Sequence, residues 1–146
     1  MFRLLNVDGR AALEHDGSWY DLAAVSGDAE LADPMAAVAR HHDLHALHAG
    51  LSEHTAGGEI DPARLGPPVP RPQKVFGIGL NYRAHAAESG MPLPPSPLTF
   101  TKFPSCIVGP DSDVELRTET GDYEVELVVV IGKGGKHISE ANALSH

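Results

Sequence analysis

Gly121-Asp122-Tyr123-Glu124-Val125-Glu126-Leu127-Val128-Val129-Val130-Ile131-Gly132 is the stretch on which the reading of this chain turns. Five of its residues are β-branched and a glycine stands at each end. That pattern predicts a strand, and its unbroken apolar second half predicts a buried one. Side chains alternate faces along a strand, so Glu124 and Glu126 point the same way, with Cα atoms roughly 6.5–7 Å apart. Two carboxylates converging beside an apolar interior need a compensating charge, which a hard divalent cation such as Mg²⁺ supplies. The alternative is an ordinary strand whose glutamates both face water.

Working outward, the bulk composition narrows the function classes. The 146 residues suit one domain, or a small domain with part of another. An apolar content of 42% is enough for a core. With 11 basic against 20 acidic residues the net charge is −9, and no basic patch invites nucleic acid. Nothing approaches the ~20 apolar residues of a membrane span. Asn6 and Asp8 interrupt the apolar start, so it is not a signal peptide. Cys106 is the single cysteine, so there is no intramolecular disulfide framework. The cytoplasm is the expected location.

Before the decisive stretch the chain divides. Residues 2–7, 10–15 and 18–22 read as strands joined by Asp8-Gly9 and Asp16-Gly17, both hairpin signals. They form a small antiparallel meander with Trp19 or Tyr20 in its core. Asp33 and Pro34 then fit the N-cap and first position of a helix that ends near Gly50. His41, His45 and His48 share one face of it. No carboxylate completes a ligand set there, so solvated histidines are expected over a metal site. The proline-rich run Gly66 to Pro72 is a stiff extended linker. The expected organisation is a module at 1–66, a linker at 67–72 and the start of a second domain at 73–146.

Beyond the linker, Lys74 to Leu80 predicts a buried strand. Gly77 and Gly79 suggest a dinucleotide fingerprint, but position 82 is Tyr82, so that reading is rejected. The small residues suit close backbone approach. Asn81 fits as the cap of a short helix over 82–89 that Gly90 ends. On it His85 and Glu88 stand at i, i+3 and can meet. A carboxylate on one imidazole nitrogen orients the ring and raises its basicity, so the other nitrogen can deprotonate water; the plainer reading is a surface His–Glu pair. Residues 91–97 form a proline-rich loop suited to a mobile rim. Residues 98–103 predict a strand carrying Lys102, which either binds an acidic substrate or is a surface charge. Cys106, among apolar neighbours, reads as packing, and residues 113–117 as one more strand. Ser139 begins a helix that meets the last residue, His146, without a C-cap signal, so truncation is expected.

Three stretches together resemble the fumarylacetoacetate hydrolase superfamily: Gly79-Leu80-Asn81-Tyr82-Arg83-Ala84-His85-Ala86-Ala87-Glu88, Thr101-Lys102-Phe103-Pro104-Ser105 and Asp122-Tyr123-Glu124-Val125-Glu126-Leu127. Their order and spacing match over residues 74–146, and the short β-rich leader resembles that of bacterial members. The resemblance implies an α+β fold, mostly β, with layered mixed sheets and a few short helices, usually a homodimer. It implies that Glu124 and Glu126, with a later aspartate, bind Mg²⁺ (or Mn²⁺ or Ca²⁺). His85 and Glu88 match the family's water-activating dyad, Lys102 a recurrent lysine near the pocket, and Tyr82 and Arg83 flank the dyad as substrate-binding candidates. After Glu126 the only acidic residue is Glu140, so the third ligand is missing.

What the resemblance implies is a hydrolase or lyase of small 2-oxo acids or 1,3-dicarbonyl compounds. It would break a C–C bond, isomerise or decarboxylate through a metal-stabilised enolate. This stretch of chain alone is expected to be inactive. The competing expectations are a non-catalytic oligomerisation or binding module that keeps the fold, and an incomplete gene product with unpaired sheet edges.

Overall fold

A computed structural model describes residues 1–146. The three leader strands form as read. Strands β1 (Arg3–Val7), β2 (Arg10–His15) and β3 (Ser18–Asp21) pair antiparallel, with Leu5 opposite Ala12 and Leu13 opposite Tyr20. Asp8-Gly9 and Asp16-Gly17 all carry positive φ, the conformation a two-residue hairpin turn requires and an Asp-Gly pair tolerates. Two short strands, β4 (Gly58–Glu59) and β5 (Leu65–Gly66), complete a sheet of order β4-β3-β2-β1-β5.

Helices cover one face of this sheet. They are α1 (Leu22–Ser26), a 3₁₀ turn at Ala29–Ala32, α2 (Pro34–Ala39) and α3 (His41–Ala49). Ala11 and Leu13, alternate residues of β2, pack with Tyr20, Leu22, Leu31, Ala37, Leu44 and Leu51 into the core. Tyr20 fills it, whereas Trp19 lies half-buried under the Arg64 guanidinium, 5.5 Å from its ring centroid. Asp33 caps α2 by accepting from the Met35 N–H. The single helix expected from Pro34 to Gly50 is two, because Arg40 leaves the helical region (φ −109°, ψ 26°) while its side chain pairs with both Asp28 and Asp43. The unexpected α1 has ordinary signals: Asp21 caps it and Gly27 closes it at φ 71°.

Residues 67–71 lie against this sheet and its helices. Arg71 bonds to Asp33 at 2.6 Å, and buried Asn6 donates to the Pro67 carbonyl at 2.9 Å. Beyond these residues, β6 (Val75–Gly79) and β7 (Leu98–Lys102) form an antiparallel pair, with α4 (Arg83–Glu88) in their connection. The Phe100 ring lies across Gly77, its cross-strand partner, where any Cβ would fall 2.3 Å from ring carbon. The room at Gly77 thus admits a side-chain ring, where close backbone approach was expected.

Three strand or helix expectations are corrected here. Residues 121–132 form no strand: they have no ladder partner, and residues 121–131 are exposed, Val125 by 89% and Leu127 by 80%. Residues 113–117 are likewise unpaired, with Val114 and Leu116 exposed. A β-rich composition specifies a strand only where a neighbouring edge accepts its N–H and C=O groups, and β6–β7 pair only with each other. The final helix is a 3₁₀ turn at Glu140–Ser145 rather than α-helix. Cys106, read as packing, is exposed. The fold is mixed α+β, mostly sheet with a few short helices. No helix is long and apolar enough to cross a membrane.

Candidate active site

The site begins at the end of β6. The chain reverses through Leu80, a non-glycine residue at φ 56°. Tyr82, not Asn81, occupies the N-cap of α4, with no side-chain cap bond. One turn in, His85 Nδ1 lies 2.6 Å from Glu88 Oε1. The helix then stops as read, with Gly90 left-handed at φ 64°.

The dyad has a defined electrostatic character. The hydrogen bond that His85 donates to Glu88 raises its pKa above the ordinary value; partial desolvation opposes this, and the charges of Glu88 and Glu124 reinforce it. Glu124 is therefore near enough for His85 to feel it, although it is remote in sequence. Lys102, the last residue of β7, lines a groove of about 670 Å³ with Asp122, Glu124, Val125, Glu126 and Val128. Both carboxylates line one groove, but so does Val125 between them, so the strand alternation read for Glu124 and Glu126 is not what brings them there.

Asp122 is an addition that sequence reasoning passed over. It stands two residues before Glu124, so the i, i+2, i+4 spacing of the three carboxylates could have marked it. Tyr82 reaches the acidic stretch differently: its hydroxyl accepts from the Leu127 N–H at 3.4 Å. Arg83 is exposed and is not among the groove residues. The histidines of α3 are dispersed to separate partners. His41 stacks on His42 (centroids 3.9 Å), His45 meets Phe2 (4.7 Å) and His48 meets His15 (5.6 Å).

Glu124 and Glu126, with Asp122 on the same groove, are oxygen donors that fit a hard divalent cation in chemistry. They do not complete a shell, because no three His, Cys, Asp or Glu side chains converge anywhere in the molecule.

With this geometry in view, relatives can be compared. Residues 74–146 match the family model for the fumarylacetoacetate (FAA) hydrolase C-terminal domain, and the chain belongs to the fumarylacetoacetate hydrolase family. Over 81 residues it is 49% identical to the human protein described as oxaloacetate tautomerase FAHD2A, mitochondrial, covering 54% of this chain and 26% of that one. It is 43% identical over 89 residues to a fumarylacetoacetate hydrolase domain-containing protein 2 homolog of Dictyostelium discoideum, covering 60% of this chain and 29% of that one. A crystal structure of a protein designated HpcE from Mycobacterium smegmatis matches 97% of this chain and 50% of its own, with TM-score 0.77 and 39% identity. The chain thus spans about a quarter of these curated relatives and half of the crystallised one.

Proposed function

We propose that the groove between β7 and the acidic segment is the substrate site of an enzyme acting on small 2-oxo acids or 1,3-dicarbonyl compounds. The observation that carries the reading is the 2.6 Å His85–Glu88 contact together with a groove that gathers Lys102, Glu124 and Glu126. Glu88 accepts from Nδ1–H of His85 and leaves Nε2 as the base. In hydrolysis, Nε2 takes a proton from water and the hydroxide adds to a carbonyl carbon. The adjacent C–C bond breaks, its electron pair leaves with the enol-forming fragment, and His85-H⁺ returns the proton. In tautomerisation the same nitrogen carries the proton between carbon and oxygen, and in decarboxylation carbon dioxide leaves instead. Lys102 neutralises the substrate carboxylate. Tyr82 and Arg83 flank the dyad.

Glu124 and Glu126 would hold a divalent cation, Mg²⁺ or else Mn²⁺ or Ca²⁺, which supplies Lewis acidity to the two oxygens of an oxo acid. Residues 1–66 serve as an accessory module, 67–72 as a linker and 73–146 as part of the catalytic domain. The working protein is a cytoplasmic homodimer without nucleic-acid or membrane partners. The similarity to an oxaloacetate tautomerase supports oxaloacetate as the first substrate to try.

The test is the keto–enol conversion of oxaloacetate, followed by ultraviolet absorbance with Mg²⁺, using the protein extended to the length of its relatives. Activity lost in both His85→Ala and Glu126→Ala supports the reading, and activity indifferent to both overturns it. A second reading, a non-catalytic module that keeps the fold, is favoured by the two-carboxylate shell. The protein extended to the length of its relatives is then inactive under the same assay.

A further inference from the structure

Residues 124–131 make one hydrogen bond to the rest of the molecule, from the Leu127 N–H to the Tyr82 hydroxyl at 3.4 Å. The same tyrosine begins the dyad helix, because its carbonyl accepts from the Ala86 N–H at 3.2 Å. One residue therefore joins the start of the helix bearing His85 and Glu88 to the middle of the segment bearing Glu124 and Glu126. Leu127 directly follows Glu126, so the bond fixes the backbone beside that carboxylate. A segment without ladder bonds otherwise has free φ and ψ at each residue, and ordering them costs conformational entropy.

We propose that Tyr82 is a positioning residue, whose hydroxyl pins the Leu127 amide and so holds the Glu124–Glu126 pair on the groove, rather than a group that binds substrate. This rests on the reading of the two glutamates as cation ligands. It goes beyond that reading in giving the tyrosine a role on the acidic segment. The conservative change is Tyr82→Phe, which removes the hydroxyl and keeps the ring. Tyr82 is half exposed and outside the core, so folding of the module does not depend on it.

The experiment uses the 146-residue chain labelled with ¹⁵N, wild type, Tyr82→Phe and Glu126→Ala. Amide exchange at Leu127 tests the bond, and a Mg²⁺ titration followed by amide shifts tests its consequence. Tyr82→Phe should speed Leu127 exchange and weaken Mg²⁺ binding, each about three- to tenfold, the scale of one hydrogen bond. Melting temperature should stay unchanged, and Glu126→Ala should abolish the Mg²⁺ response. Equal Leu127 exchange in wild type and Tyr82→Phe overturns the pin. Faster exchange with unchanged Mg²⁺ affinity overturns its role toward the glutamates. Mg²⁺ that shifts no amide of the wild type refutes the ligand reading of the glutamates instead, while Leu127 exchange still decides the pin.

Discussion

His85 Nδ1 and Glu88 Oε1 stand 2.6 Å apart across one turn of α4, and Glu124 adds a second negative charge to the field at the imidazole. The pair favours imidazolium in the native state, so the native pKa lies above the ordinary 6.5. The stabilisation is full below 6.5 and is lost as pH rises through the higher native value. Glu88→Gln should move the His85 titration, followed by imidazole NMR, down toward 6.5. In an active form of the protein, the rising limb of rate against pH should move down with it, because neutral His85 is the base. An upward move of either would contradict the assigned polarity.

Glu124 and Glu126 share the groove with Lys102. If they hold a cation, Mg²⁺ at 100 times its Kd adds about 2.7 kcal/mol of stability. In the protein extended to the length of its relatives, that should appear as a rise in melting temperature abolished by EDTA. Glu126→Ala should remove the rise and lower oxo-acid turnover by about 100-fold or more, at least the loss seen when a supporting residue of a metal site is changed. Identical melting with Mg²⁺ and with EDTA would count against the pair as ligands.

The strands of the leader were legible because each carries its own partner: Asp8-Gly9 and Asp16-Gly17 return the chain on itself, so local pattern and pairing coincide. The dyad was legible for the same reason, i and i+3 being neighbours on any helix. Val128 to Ile131 were misread because burial is a property of the environment. The β-branched run needs a second edge, and neither β6 nor β7 supplies one to it. The break at Arg40 escaped because it coincides with ion pairs reaching back to Asp28, a partner in another element. Glu124 near His85, and Tyr82 on Leu127, are long-range meetings that no spacing in the chain announces.

Leu13 and Leu127 offer a contrast in which only environment differs. Leu13 is fully buried in the core and Leu127 is 80% exposed. Leu13→Ala should cost about 2–5 kcal/mol, whereas Leu127→Ala should stay within about 0.5 kcal/mol. Urea unfolding of the 146-residue chain measures both. Comparable losses at the two sites would mean that the 123–131 segment is packed in solution.

Asp21 does two things at once. It accepts from the Ala24 N–H at 2.9 Å to cap α1, and it takes a two-point bond from Arg10 at 2.7 and 3.1 Å. The Arg10 hydrogen bond is the main reason its pKa lies below the ordinary 3.8. Its contribution is therefore complete above 3.8 and declines as pH falls through the lower native value. Asp21→Ala should cost about 1–2 kcal/mol at neutral pH, mostly the cap, since the ion pair is partly solvated. The gap between variant and wild type should close in acid; a gap that is constant down to pH about 2 would exclude the titration as its source.

Gly132 ends the acidic segment against the leader module. A Cβ there would lie 2.8 Å from His41 Nδ1 and 3.5 Å from the Val38 carbonyl oxygen. The Gly132 and Lys133 N–H groups both donate to the His146 carbonyl at 2.9 Å, so the passage is fixed on its other side as well. Gly132→Ala must displace either the His41 ring, which is stacked on His42, or the segment itself. Amide exchange at residues 132 and 133 should accelerate, while the Leu13–Leu44 core keeps its melting temperature, because the atoms nearest the new methyl group belong to His41 and Val38, outside that core. Gly134→Ala is the control, since nothing lies within 4 Å of its added Cβ. If both alanine variants exchange alike, the contact between Gly132 and His41 does not hold the segment in solution.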